Sequence, residues 1–242
     1  MGWRYIDSGI ADPYFVTAAD EAISIALKNK KIIRNTIHFY QRNKPTISVG
    51  RFRNIRDDVN LEKCKKYDVK IIRRTSGGGS IFTDKNCLIY SLIFNVLDTK
   101  LKSSQDIFKN ICGCITKSFK KFGMNSEYKY PNDILLNNKK ISGSAQIKKE
   151  NITLIHGSIL WDTDLAIMKE VLKNNNKKKV TTIKNEMAFT PSIFDIKHEL
   201  ISGFEMYFNV DFKKSSFSNY ERNTINKLLK DRYKKDEWNF LR

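Results

Sequence analysis

Two stretches of the chain carry residue types that chemistry needs. The first is RRTSGGGSIFTD (73–84). Three successive glycines permit positive φ and let backbone N–H groups approach a ligand without a Cβ in the way. Arg73 and Arg74 stand directly before them and supply fixed positive charge suited to carboxylate or phosphate. A glycine run usually makes a solvated surface loop. Here both flanks read as apolar strands, and no acidic residue intervenes before Asp84. The segment lacks the Gly-Lys-Ser/Thr of a P-loop and the GxGxxG spacing of a dinucleotide fingerprint. The second stretch is KYPNDILLNNKKISGSAQ (129–146). Pro131 stiffens the approach to Asn132 and Asp133. Lys139 and Lys140 open a strand that continues through the small residues Ser142, Gly143, Ser144 and Ala145. A Lys-Lys pair by itself belongs to a solvated hairpin. Small residues beside a lysine instead leave room for a ligand against the backbone.

Several elements must position these groups. Thr17, with Asp20 three residues on, predicts a helix start, followed by Ile23, Ile25, Ala26 and Leu27. TIHFY (36–40), TISVG (46–50) and VKIIRR (69–74) read as strands, and DVNLEKCKKY (58–67) as a short helix. LIYSLIFNV (88–96) is apolar on both faces and predicts a central strand. Helical spacing runs through 103–122, at Ile107, Phe108, Ile111, Ile115, Phe119 and Phe122. DILLNN (133–138) turns at Asn-Asn into the Lys-Lys strand, and NITLIHGSILW (151–161) returns as a long strand. Helices are expected at 164–172, 192–208 and 219–233, with NNNKKK (174–179) as a polar loop. Strands and helices mix without regular βαβ alternation, so the expected class is α/β of the α+β type with a mixed sheet. No linker or repeat divides the chain, and 1–242 reads as one domain.

Composition bounds the rest. With 40% hydrophobic residues the chain can build a core. Forty-four Lys and Arg against 26 Asp and Glu give +18, which favours acidic partners, although the lysines are scattered throughout. No apolar run spans a bilayer, and MGWRYIDSGIADP has no signal-peptide core, so no membrane role is expected. Tyr5 and Ile6 stand where a myristoylation site needs Ser or Thr. Cys64, Cys87, Cys112 and Cys114 have neither disulfide-framework nor zinc spacing. A reducing cytoplasm is the expected location.

The motifs PTISVGRFRN, RRTSGGGSIFTD, YPNDILLNNKKISGSAQ and LIHGSILW occur in an order and spacing that resemble the lipoate–protein ligase A family. KYPND echoes the related biotin–protein ligases, and RYKKDEWN (232–239) resembles the end of the ligase catalytic domain. The resemblance spans nearly the whole chain and implies a mostly antiparallel sheet flanked by helices. It implies activation of lipoate by ATP and Mg2+ to lipoyl-AMP, then transfer to a lysine of acidic lipoyl-domain proteins such as E2 subunits and the glycine cleavage H protein. Residue by residue, Lys140 would bridge the lipoate carbonyl and the α-phosphate. Arg74, Gly79, Ser80, Ile81, Phe82, Asn132 and Asp133 would contact the nucleotide, with Asp133 the candidate Mg2+ contact. Arg73, Ser76, Gly77, Gly78, Gly143, Ala145 and His156 would line the lipoate site. A lone strand histidine such as His156 is as well explained by a structural role.

Two departures from the family pattern bear on activity. Full-length bacterial ligases carry a C-terminal accessory domain that this chain lacks, which raises a separate accessory subunit or an acyltransferase as alternatives. ATP-independent octanoyl or lipoyl transferases of this fold use a cysteine nucleophile. FGMNSEYKY (122–130) and residues 162–190, where two such branches place it, contain none. That favours the ATP-dependent ligase. A non-catalytic acyl-binding homologue is disfavoured by Lys140 and the Arg-Gly loop. A nucleic-acid-binding module is disfavoured because no RNP, KH or zinc signature accompanies the charge.

Overall fold

A computed structural model describes residues 2–173 and 179–241. Most of the polar loop expected at 174–179 therefore lies outside the described residues. Strand β1 (Trp3–Ala11) leads into helix α1 (Pro13–Lys28) and strand β2 (Thr36–Arg42). The helix starts four residues before Thr17. Asp12 caps it by accepting from the N–H groups of Tyr14 and Phe15, and Pro13 takes the first helical position. Asp-Pro is the stronger start signal because proline gives up only an N–H that would be orphaned anyway. Thr17 sits one turn in, its hydroxyl donating to the Pro13 carbonyl at 2.8 Å. β1 and β2 run parallel, which requires a crossover helix between them, and α1 supplies it.

Strand β3 (Thr46–Val49), short helices α2 (Ile55–Asp58) and α3 (Leu61–Lys66), and strands β4 (Lys70–Arg73), β5 (Ile81–Thr83) and β6 (Cys87–Asn95) follow. The single helix expected over 58–67 is broken at Val59, and Asn60 caps α3. Helix α4 (Ser104–Lys120), strands β7 (Ser126–Lys129), β8 (Asp133–Leu136), β9 (Lys139–Lys149) and β10 (Ile152–Leu160), and helix α5 (Leu165–Val171) come next. The turn between β8 and β9 has positive φ at Asn137 and Asn138, the residues read as a turn from sequence. The chain continues with α6 (Ile183–Glu186), α7 (Ile193–Phe208), β11 (Phe212–Lys214), α8 (Asn219–Leu228), a π turn over Leu229–Tyr233, and α9 (Asp236–Asn239). Capping boxes at Ser103/Asp106, Ser192/Asp195 and Ser218/Glu221 start α4, α7 and α8.

Eight strands form the main sheet in the order β11-β1-β2-β6-β10-β9-β8-β7. The first three are mutually parallel and every later pair is antiparallel, so the sheet is mixed and mostly antiparallel. β6 is central and buried on both faces, as its unbroken apolar run requires. Its Leu88, Tyr90, Leu92 and Phe94 pack with α4 and α7, while Ile93 packs with Ile23 and Leu27 of α1. Helices therefore flank both faces. β3, β4 and β5 leave this sheet and make a second one, ordered β4-β3-β5. A reading with one sheet does not contain that division, and it matters because the candidate cleft opens between the two sheets. Among the described residues no helix is long and apolar enough to cross a membrane.

Candidate active site

A cleft of about 540 Å3 runs between the glycine loop, the start of β9 and the middle of β10. The β8–β9 register places Asp133 opposite Gly143 and Ile134 opposite Ser142, then slips so that Leu135 faces Lys140. Ile141 is the extra residue, fully buried. A bulge of one residue reverses the alternation of faces, so Lys140 and Gly143 share the cleft face despite their odd spacing. The Lys140 ammonium lies 2.6 Å from Asp133 Oδ1. A Cβ at position 143 would stand 2.6 Å from Lys140 Nζ and 2.8 Å from its Cε. Only glycine there leaves the lysine free to lie along the strand. Backbone bonds from Lys140 N to Lys179 O and from Thr181 N to Lys140 O fix the base of the side chain. Lys139 is spent elsewhere. It pairs with Glu186 at 2.8 Å, and this bond, with those from Thr181 and Asn137, holds the Glu186 carboxyl down at about 2.

The glycine loop is held from behind by Arg74. Its guanidinium donates to Ser76 Oγ, to the Ser48 carbonyl, and to the carbonyls of Gly77 and Gly79, at 2.7–3.0 Å. Burial, reinforced by the neighbouring Arg42 charge, lowers its pKa to about 10. Gly78 takes φ +90°, and its carbonyl packs so tightly on Gly50 that a side chain at position 50 would overlap it. Arg73 is carried to the other side of β4. It donates to the carbonyls of Gly50, Arg53, Trp238 and Leu241, which pins the 236–241 segment and keeps Arg73 out of the lipoate site expected for it. Alternation along a strand explains the split, since adjacent arginines must point to opposite faces. For the same reason the Phe82 side chain enters the core beneath the small sheet, while Ile81 lines the cleft.

His156, on β10, reaches the cleft wall, but its nitrogens are occupied. Nε2 meets Ser76 Oγ at 2.7 Å, and Nδ1 faces Asp20 Oδ2 at 3.6 Å. Burial depresses its pKa below the ordinary imidazole value, against the opposing pull of Asp20. Asp20 is a buried hub that also accepts from His38, Tyr40 and Ser91. Burial alone would raise its pKa, but the hydrogen bonds from His156 and His38 carry it well below the carboxylate range. Sequence reading noticed Asp20 only as a helix residue, because its partners come from three different strands.

Arg74, Gly78, Gly79, Ser80, Ile81, Asn132, Asp133, Lys140, Gly143, Ala145 and His156 therefore share one cleft. Ser76 and Gly77 stand behind its wall through their bonds to His156 and Arg74. Tyr40, Arg42 and Ser158 also line it without having been singled out in sequence, and so does Ser144, one of the small residues read after Lys140. Ser144 contacts Tyr90 Oη at 2.8 Å, and the Asn132 amide donates to its carbonyl. All four cysteines are buried and none lines the cleft. Burial pushes the Cys64 and Cys112 thiols up to about 11 and Cys114 to about 12, so they stand as neutral thiols. Cys112 lies behind the wall, its Sγ 3.7 Å from Ser144 Oγ.

No cluster of three or more metal-ligating side chains occurs among the described residues. Among the described residues Asp133 is the one carboxylate lining the cleft. That donor set suits a Mg2+ ion that arrives on phosphate oxygens and borrows one protein carboxylate. It does not suit a metal held by the chain alone.

Residues 12–205 match the family described as the lipoyl protein ligase A/B catalytic domain. The octanoyltransferase LipM of Geobacillus kaustophilus (strain HTA426) is 29% identical, over 99% of this chain and 98% of that protein. The same fold appears in a bi-partite lipoate protein ligase studied with its E2 lipoyl domain from Thermoplasma acidophilum. That structure has a TM-score of 0.88 at 22% identity, covering 99% of this chain and 96% of the other. It appears again in a lipoate-protein ligase A bound with ATP, with a TM-score of 0.87 at 23% identity and 99% of each chain covered. With the cleft, the arginine-held glycine loop and the lysine on its bulged strand in place, the match over most of the chain settles its kinship: it belongs to the lipoyl protein ligase A/B catalytic-domain family.

Proposed function

We propose that this chain joins a lipoyl or octanoyl group to a lysine of acidic lipoyl-domain proteins, and that it activates the free acid with ATP. The observation that carries the second half is the pairing of Lys140 with a cleft from which every thiol is withdrawn. Two anions meet when the carboxylate oxygen attacks the α-phosphorus of ATP, the α–β phosphoanhydride bond breaks, and an acyl adenylate and pyrophosphate form. A cation fixed between them lowers their repulsion and stabilises charge developing on phosphorus. Lys140, held by its backbone clamp and by Asp133, would serve as that cation. Asp133 would contact Mg2+, whose charge would help neutralise the phosphates. The glycine loop and Ile81 would shape the nucleotide site, with Gly78, Ala145 and His156 along the acyl group. The neutral ε-amine of the acceptor lysine then attacks the mixed anhydride and AMP departs. Positioning supplies much of the rate in such a site. Residues 1–242 would act as one catalytic domain, alone or with a separate accessory-domain subunit. The +18 charge would steer acidic acceptors toward it.

A second reading has its own support. The relatives named octanoyltransferase favour transfer from a carrier without ATP. ATP–pyrophosphate exchange separates the two. Exchange that requires lipoate or octanoate and is lost in Lys140→Ala supports the ligase. If the wild type shows no exchange, yet a lipoyl domain is acylated from an octanoyl carrier and Cys112→Ala abolishes this, the transferase reading replaces it. Transfer from supplied lipoyl-AMP without exchange points to a missing accessory subunit.

A further inference from the structure

Arg42, at the end of β2, lines the cleft and is only 3% exposed. Its Nη1 donates to Thr83 Oγ1 at 3.1 Å and its Nη2 to Thr17 Oγ1 at 3.2 Å. Both hydroxyls spend their own protons on backbone carbonyls, Thr17 on Pro13 and Thr83 on Thr46. Their lone pairs are thereby turned toward the guanidinium, which holds it in one orientation. These partners are neutral. Among the described residues no carboxylate lies within ion-pair distance of Arg42, and its buried Nε has no hydrogen-bond partner. The nearby buried acid, Asp20, spends its oxygens on His38, Tyr40, Ser91 and His156. The other buried cation of the wall, Arg74, is likewise bonded only to neutral oxygens, and each arginine adds to the other's unpaired charge.

A buried, unpaired guanidinium is costly, and proteins keep one where an anion comes to meet it. Charge in the cleft decides which anion. Among the side chains that line it, Arg42, Arg74 and Lys140 stand against the single carboxylate of Asp133, a net of +2 for the lining, while Asp20 behind the wall is committed to His38, Tyr40, Ser91 and His156. One fatty-acid carboxylate cannot balance that, whereas a polyphosphate can. We infer that Arg42 is a binding residue for the polyphosphate of a nucleoside triphosphate, held in place by Thr17 and Thr83. This rests on the ATP-dependent reading above, and it adds a residue that neither the glycine loop nor the Lys-Lys strand pointed to.

The test uses the intact chain and three probes: pyrophosphate, ATP with Mg2+, and octanoate. Binding is measured by calorimetry for the wild type, Arg42→Met and Arg42→Lys. Arg42→Met should weaken pyrophosphate and ATP by about tenfold to a hundredfold, the range for a hydrogen bond to a charged group, and leave octanoate unchanged. Arg42→Lys keeps the charge without the fork and should fall between. If Arg42→Met fails to fold, the lysine variant reads the same contrast. Equal affinity for pyrophosphate in wild type and variants overturns the inference. So does a parallel loss of octanoate, which would make Arg42 a structural residue. If the wild type binds pyrophosphate through Arg42 but shows neither ATP–pyrophosphate exchange nor transfer from supplied lipoyl-AMP, the adenylating function fails and the anion site stands.

Discussion

Gly143→Ala separates the position of Lys140 from its presence. The added Cβ would meet the ammonium at 2.6 Å and Cε at 2.8 Å, against ordinary contacts that begin near 3.4 Å. Lys140 must therefore retreat by about 0.8 Å at its tip, away from Asp133 and from the centre of the cleft. A misplacement on the order of 1 Å in a preorganised site costs about 10²-fold in rate, equivalent to ~2.7 kcal/mol. Folding should hardly notice. The displaced atoms are the far end of a flexible, quarter-exposed side chain, and alanine loses less backbone entropy than glycine, so stability should change by less than ~1 kcal/mol. The assay pairs acceptor-domain acylation with urea unfolding of the same preparation. A kcat about a hundredfold lower with an unchanged unfolding midpoint is the expected result. Unchanged kcat would refute the claim that glycine is needed to aim Lys140. A rate loss matched by an equal loss of folded protein would refute it as well.

Other expectations follow from neighbouring contacts. Arg73→Lys should cost about 2–4 kcal/mol in urea unfolding, because a point charge cannot reach the several carbonyls its fork serves, while the folded fraction keeps its kcat. Gly157→Ala drives a methyl group into the Tyr90 ring in the middle of the sheet and should lose about 1–3 kcal/mol, readable as a lower melting temperature. Acid should weaken the fold in two windows. The folded pKa of His156 lies below 6.5, so the unfolded chain binds the proton first and stability declines as pH falls from about 6.5. Asp20, also depressed, contributes stability above about 3.8 that is lost as pH falls further toward its folded value. Asp20→Asn should flatten the lower window, and His156→Gln the upper, in unfolding midpoints measured from pH 8 to 3.

Local pattern determined much of this protein. The unbroken apolar run in 88–96, the helical spacing in 103–122 and the Asn-Asn turn are short-range signals, and each produced its expected element near its expected bounds. The glycine loop and the Lys-Lys strand were legible as candidate chemistry because residue type and adjacency are visible in one dimension. Tertiary structure decided what adjacency cannot. Which of two neighbouring arginines faces the cleft depends on the pleat of β4 and on carbonyls of a segment 165 residues away. Which lysine faces Asp133 depends on a bulge at Ile141 that no local composition announces. Arg42 and Asp20 looked ordinary in the chain. They become a buried cation and a buried hub only where α1, β2, β6 and β10 converge, since burial and charge compensation belong to the packed neighbourhood and not to the residue.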